Sequence, residues 1–176
     1  MAEPSLDIGS NGTLRLIKSY QAFEFNNAGM MRRTAITSPL ATGAASMRQS
    51  YQLSEKDVVF METLGQGASG IVQKAFWPTR AEFVAVKKIS ILERDKRHQL
   101  MNDIKALCDI PDDTGLIRFC GAYHCADKGQ VAVALEYMDA GSLADLCKTQ
   151  GHVDQNVLAN ITESILKGLS YLHANH

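Results

Sequence analysis

The chain has 176 residues, 45% of them hydrophobic, which suffices for one modest globular domain and a tail but not for two complete domains. Eighteen basic residues against nineteen acidic ones leave a formal charge of -1, so no basic surplus points to nucleic acid or an anionic membrane as the main partner. The four cysteines, at positions 108, 120, 125 and 147, form no C-x-x-C pair and call for no disulfide framework. A metal set built on Cys120, His124 and Cys125 would need distant partners in no recognisable spacing, and strand-end residues are the simpler reading.

Met1-Ala2-Glu3-Pro4 lacks a basic leader ahead of an apolar stretch, and position 2 is not the glycine of a myristoylation pattern. No apolar run is long enough to span a bilayer. The expected address is the cytoplasm, with the nucleus open as well.

Residues 1–54 read as a disordered N-terminal tail, rich in Ser, Thr, Ala, Gly and Asn and without a sustained period. Within it Leu14, Leu16 and Ile17 suit a short strand, and Arg32-Arg33 with Ile36 and Leu40 suit a small docking peptide. Ser38-Pro39 fits a proline-directed phosphorylation site or a plain solvated turn.

From about Tyr51 the pattern changes. Val58 to Leu64, Ile71 to Trp77 and Phe83 to Ile89 read as three short strands. After Ser90 the period becomes helical, with Leu100, Ile104, Leu107 and Cys108 on one stripe, and Pro111 helps to end it. Two further strands follow, about Ile117 to Tyr123 and Gln130 to Glu136, then the connector Tyr137 to Gly141. Ser142 with Asp145 three residues on resembles an N-cap opening a short helix. A longer helix runs from about Asp154 to His173, carrying Leu158, Ile161, Ile165, Leu169 and Leu172 on one stripe.

The chemistry lies in the first two strand connections. Leu64-Gly65-Gln66-Gly67-Ala68-Ser69-Gly70-Ile71-Val72 is a glycine loop that can bring backbone N–H groups close to a polyanion. A dinucleotide fold would open a helix at the third glycine; here Ile71 to Phe76 alternate as a strand, so that reading fits poorly. Fifteen residues after Val72 comes Lys87 in Val84-Ala85-Val86-Lys87, which completes a clamp for ATP phosphates. On a strand Ala85 and Lys87 share one face while Val84, Val86 and Lys88 share the other, so Lys87 is chosen, although a motif match slipped by one residue would select Lys88. Its counter-charge should come from the next helix. Asp103, one residue before Ile104, is the best placed; a capping or surface aspartate, or a shift to Glu93 or Asp95, stays open.

With these residues in hand, the chain resembles the N-terminal lobe of a eukaryotic protein kinase. Leu135-Glu136-Tyr137-Met138-Asp139-Ala140-Gly141-Ser142-Leu143-Ala144-Asp145-Leu146 is similar to the hinge and following helix of MAP kinase kinases, especially those of plants and protists. Gly168-Leu169-Ser170-Tyr171-Leu172-His173 resembles the end of the helix that precedes a kinase catalytic loop. The implied fold is α+β: a kinase N-lobe over 55–136, with a five-stranded antiparallel sheet and one regulatory helix, then a hinge and the first two helices of an incomplete C-lobe over 137–176.

The resemblance also implies roles. Leu64, Val72 and Ala85 would sandwich adenine, Leu135 would be the gatekeeper, and the backbones of Glu136 and Met138 would bond the base. Ser142 and Asp145 would lie near the ribose, Gly65 to Gly70 (with Gln66, Gly67, Ala68 and Ser69) would cover the phosphates, and Lys87 would contact the alpha and beta phosphates. Leu107 and Phe119 match positions that brace the helix in an active state. The family has glutamate where this chain has Asp103, one methylene shorter. The H-R-D motif, its following asparagine and the D-F-G aspartate do not occur in the sequence. Neither Asp112-Asp113-Thr114-Gly115 nor His152-Val153-Asp154 stands in for them. The chain is therefore expected to be a truncated, inactive portion of a dual-specificity (Ser/Thr/Tyr) kinase that uses ATP and, in the complete protein, Mg2+. A MAP kinase substrate and an upstream MAP kinase kinase kinase would be its partners. The alternative expectation is a non-catalytic kinase-like interaction protein.

Overall fold

The computed structural model describes residues 5–18, 21–35, 46–67, 70–111 and 114–175. Within them the chain forms two five-stranded antiparallel sheets and three α-helices.

The first sheet is a meander of β1 (Ser5–Ile8), β2 (Leu14–Lys18), β3 (Gln21–Asn26), β4 (Gly29–Ala35) and β5 (Ser46–Gln52), paired in chain order. Residues 1–54, expected to be a disordered tail, are thus largely sheet where described. Alternation is the physical reason: Leu14 and Leu16 flank Arg15, and Phe23 and Phe25 flank Glu24, so each strand has one apolar face. Those four side chains and Met30 are buried, while Arg15 and Glu24 pair 3.4 Å apart on the other face. The β3–β4 turn is closed by Asn26, whose Oδ1 accepts from the N–H of Ala28 at 2.8 Å. Beside it Gly29 holds φ +144, and a side chain there would strike the carbonyl of Tyr51. Arg32 and Arg33 lie on β4, whereas Ile36, Ser38, Pro39 and Leu40 lie outside the described residues.

The second sheet has the order β6 (Val59–Gly67), β7 (Gly70–Trp77), β8 (Glu82–Ser90), β10 (Gln130–Glu136), β9 (Phe119–Cys125). The helix α1 (Arg94–Cys108) lies between β8 and β9 in sequence, and α2 (Leu143–Gln150) and α3 (Gln155–Asn175) follow β10. The strand expected over Ile117 to Tyr123 begins two residues later, where a register shift lets Leu135 pair with Phe119 while Ala134 pairs with Gly121.

One face of this second sheet buries Val84, Val86, Ala132 and Ala134 with Leu53, Val58, Ala75, Trp77 and Tyr123. The other face carries Ile89, Val131 and Val133 and packs on Leu100, Met101 and Ile104 of α1. Leu14, Leu16, Phe23, Phe25 and Met30 of the first sheet join that same core. The two sheets therefore share α1, with β3, β4 and β5 lying against β9. Cys120 and Cys125 face the first of these cores, while the His124 ring points to the first sheet, its Nδ1–H donating to the Gly12 carbonyl at 2.8 Å.

Candidate functional site

Cross-strand register places the motif residues in two rows on one face. Gly65 pairs with Val72, Val72 with Lys87, and Lys87 with Val133. In the next row Lys74 pairs with Ala85 and Ala85 with Leu135. Directly opposed residues in antiparallel strands project to the same side. The loop, the strand lysine and the gatekeeper position thus come together beside the α1 side of the sheet. Leu64 is exposed and falls in a register shift between Thr63 and Gly65. Gln66 pairs with Ile71 and Gly67 with Gly70. Ala68 and Ser69 lie outside the described residues.

The three glycines are there for different reasons. Gly70 has φ +127, and a Cβ on it would run into the carbonyl of Lys88, so β7 and β8 themselves require it. Gly65 and Gly67 have no positive φ, and a Cβ on either would meet nothing within 4 Å. Neither the backbone nor the packing of this chain needs glycine at 65 and 67. The open space over them suits a polyanion approaching backbone N–H groups.

The two neighbouring lysines are separated as the alternation predicts. Lys88 lies on the opposite face, with Nζ 3.0 Å from Gln73 Oε1, 4.0 Å from Glu55 Oε1 and 4.0 Å from the centroid of the Phe60 ring. Lys87 is half-buried on the face of Ala85, and among the described residues no carboxylate pairs with it. Asp103 is half-buried on α1, one residue from the fully buried Ile104, yet the expected ion pair to Lys87 is not formed among the described residues. Aspartate carries its carboxylate on a single methylene, and α1 is seated by Leu100, Met101 and Ile104 against both sheets, which leaves it no freedom to close the gap without repacking that core.

The connector after β10 is anchored from beside the site. The N–H of Arg118 donates to Glu136 Oε1 at 2.8 Å, the N–H of Glu136 donates to the Arg118 carbonyl at 3.1 Å, and the Arg118 guanidinium donates to Glu82 Oε2 at 2.8 Å. The side chain of Glu136 is thus occupied. Met138 is exposed, and among the described residues its N–H meets no acceptor. Ser142 and Asp145 form the expected capping box: Asp145 N–H donates to Ser142 Oγ at 3.2 Å, and Ser142 Oγ donates to Asp145 Oδ2 at 2.6 Å. These bonds hold the Asp145 carboxyl below its usual range. Contact with a ribose would have to share groups already used by the cap.

Lys74 is a residue of this face that the motifs do not single out. Its Nζ sits 4.6 Å from the centroid of Phe83, 4.5 Å from that of Tyr137 and 3.5 Å from Glu62 Oε1. Alternation from Val72 was the available signal for it. A groove of about 710 Å³ runs elsewhere, along α3, lined by Leu158, Ala159, Thr162 and Leu166 among others. Its lining includes the Glu163–Lys167 ion pair, 2.8 Å apart, and none of the glycine-loop residues.

A glycine loop beside a strand lysine, a helix against the same sheet and a connector after the fifth strand give the layout of a kinase-like N-terminal lobe. Residues 58–176 match the protein kinase domain family, and the chain belongs to that family. It resembles MAP kinase kinases in particular. It is 38% identical over 167 residues to mitogen-activated protein kinase kinase 3 of Arabidopsis thaliana, covering 94% of this chain and 32% of that protein. It is 34% identical over 129 residues to the dual specificity mitogen-activated protein kinase kinase dSOR1 of Drosophila melanogaster, covering 71% of this chain and 31% of that protein. With mitogen-activated protein kinase kinase 7 of Arabidopsis thaliana it is 35% identical over 123 residues, 69% of this chain and 39% of that protein. The chain spans about a third of the length of the curated relatives it matches.

Proposed function

We propose that the chain is the ATP-binding part of a dual-specificity protein kinase of the MAP kinase kinase type, which in its complete form transfers the gamma-phosphate of ATP to hydroxyl groups of a MAP kinase. The observation that carries this reading is the single face formed by Gly65, Val72, Lys87, Ala85 and Leu135, with glycine at 65 and 67 where nothing in the chain demands it. The backbone N–H groups of the loop would bind the phosphates, the Lys87 ammonium would hold the alpha and beta phosphates, and Val72, Ala85 and Leu135 would form the apolar bed of the base. Among the described residues the Met138 N–H meets no acceptor and would donate to the base edge, and the Glu136 backbone would supply the second contact. Asp103 is the acid best placed toward Lys87 and would act on it across the gap that the packing of α1 maintains, rather than through a direct ion pair.

Magnesium would bridge and neutralise the phosphates in such a reaction. The H-R-D and D-F-G motifs whose asparagine and aspartate hold it in this family do not occur in the 176-residue sequence, so no step through the metal is assigned to residues of this chain. The substrate MAP kinase, an upstream MAP kinase kinase kinase and a cytoplasmic or nuclear address belong to the same proposal.

The test is phosphorylation of MAP kinases by the full-length protein, produced with and without Lys87→Met. Transfer that needs ATP and falls by at least about a hundredfold in the variant is the expected result. A full-length protein that transfers nothing to any MAP kinase, yet is folded and bound to nucleotide, would overturn the catalytic part.

A further inference from the structure

The first sheet reaches the kinase lobe at the end of α1 farthest from its start, and it does so with a charge. Along β3 and β4 the buried positions are Phe23, Phe25 and Met30, and the next inward position is Arg32, paired with Phe23 across the strands. Its side chain is only 12% exposed, and its Nη1 lies 2.5 Å from Oδ1 of Asp109, the residue that caps the C-terminal end of α1. An arginine on the apolar face of a strand is costly unless it is paired. Here its partner belongs to another element, 77 residues away in sequence.

Two further contacts meet at the same joint. The Tyr51 ring stands edge-on to Phe119 with centroids 4.8 Å apart, and Tyr51 packs with Cys108, in the last turn of α1, against the same core. From the other side Tyr171 of α3 donates its hydroxyl hydrogen to the Asp109 carbonyl. Leu107, Cys108 and Phe119 pack against the core shared by the sheet and the helix. The first sheet, α1 and α3 are thus tied at one residue, and the apolar face of α1 is completed by Leu14, Leu16, Phe23, Phe25 and Met30 rather than by the kinase lobe alone.

We propose that the N-terminal sheet is a built-in brace for α1, with Arg32 holding the helix end at Asp109 and Tyr51 packed on Phe119 of β9 beside it as positioning residues that fix where Asp103 stands relative to Lys87. The proposal rests on the ATP reading of the site for its functional consequence, but the brace itself does not need it. A helix held at one end by an ion pair and along its length by a shared core has little freedom to swing. Weakening the joint therefore loosens α1 first at residues 104–108, and the nucleotide site afterwards.

The experiment compares the 176-residue chain with Arg32→Ala, Asp109→Ala and the exchanged pair Arg32→Asp with Asp109→Arg, reading amide hydrogen exchange over α1 and ATP affinity by titration. Either single variant is expected to speed exchange in residues 104–108 by about tenfold or more, the loss of a charged hydrogen bond, and to weaken ATP by about fivefold or more. The exchanged pair is expected to restore both, which a variant that had merely lost its fold would not do. Unchanged exchange in the single variants, or a loss that the exchanged pair does not reverse, would overturn the brace. Faster exchange with unchanged ATP affinity would overturn its link to the site. A wild-type chain that binds no ATP would count against the reading of the site, while the exchange arm would still decide the brace.

Discussion

At the scale of single residues, the same residue type does different jobs within a few positions. Gly70 is demanded by its own sheet, so Gly70→Ala should cost about 2 kcal/mol or more in denaturant unfolding, from a strained φ and a clash with the Lys88 carbonyl. Gly67→Ala, facing open space, should change stability by no more than about 0.5 kcal/mol while weakening nucleotide binding. Unequal costs in the opposite order would show that the loop glycines are structural. The cysteines divide in a similar way. Burial pushes the Cys108 thiol up to about 11 and raises Cys120 and Cys125 as well, while Cys147 is exposed on α2. A thiol-specific reagent at pH 8 should modify one cysteine of the native chain rapidly, identified by peptide mapping as Cys147, and the other three at least about tenfold more slowly.

At the scale of elements, the N-terminal sheet is part of the core around α1. Phe23→Ala or Phe25→Ala should destabilise the chain by about 3–5 kcal/mol, as expected for a fully buried ring, and should disturb α1. A loss below about 1 kcal/mol would mean that the sheet is an ornament on an independent lobe. The start of α2 makes a prediction about pH. The Asp145 carboxyl is held below its usual range by Ser142, so its contribution to helix α2 is complete above the ordinary carboxylate value and is lost as pH falls through the depressed one. Asp145→Asn should remove that acid-dependent loss of helix signal.

How much of each element could be read in advance follows from whether its signal is local. The β8 facing was legible because alternation is a two-residue rule, and Lys88 with Gln73, Glu55 and Phe60 on one side confirms the opposite side for Lys87. The α2 cap was legible because Ser142 and Asp145 need only each other. The first sheet was obscured because its strands are short, its inward row is interrupted by Arg32, and its composition resembles a tail. The explanation of Arg32 is Asp109, which no local window contains. The Leu14-Arg15-Leu16 and Phe23-Glu24-Phe25 alternations were the signal that could have found it. The Lys87–Asp103 pair, by contrast, depends on where α1 sits, and that is set by packing against two sheets.

At the scale of the whole molecule, one side of α3 is without cover among the described residues. It is seated by Gly168, which leaves room for Leu116 and the Thr114 carbonyl, and by Tyr171 at Asp109. Val157, Leu158, Ile165, Leu166 and Leu169 remain exposed along its length. Apolar stripes of that extent drive association. The isolated 176-residue chain should therefore self-associate with rising concentration in sedimentation, and replacing Leu158, Ile165 and Leu166 by glutamine should shift it toward monomer. A monomeric wild-type chain whose last helix resists proteolysis would contradict this.

The most direct measurement is a calorimetric titration of ATP into the wild-type chain, Lys87→Met and Lys88→Met. Wild type should bind, Lys87→Met should lose at least about tenfold in affinity, as expected for a charged hydrogen bond to phosphate, and Lys88→Met should stay within about twofold because its ammonium is tied to the other face. Equal losses in the two variants, or a folded wild-type chain that binds no ATP, would contradict the assignment of this face as a kinase nucleotide site.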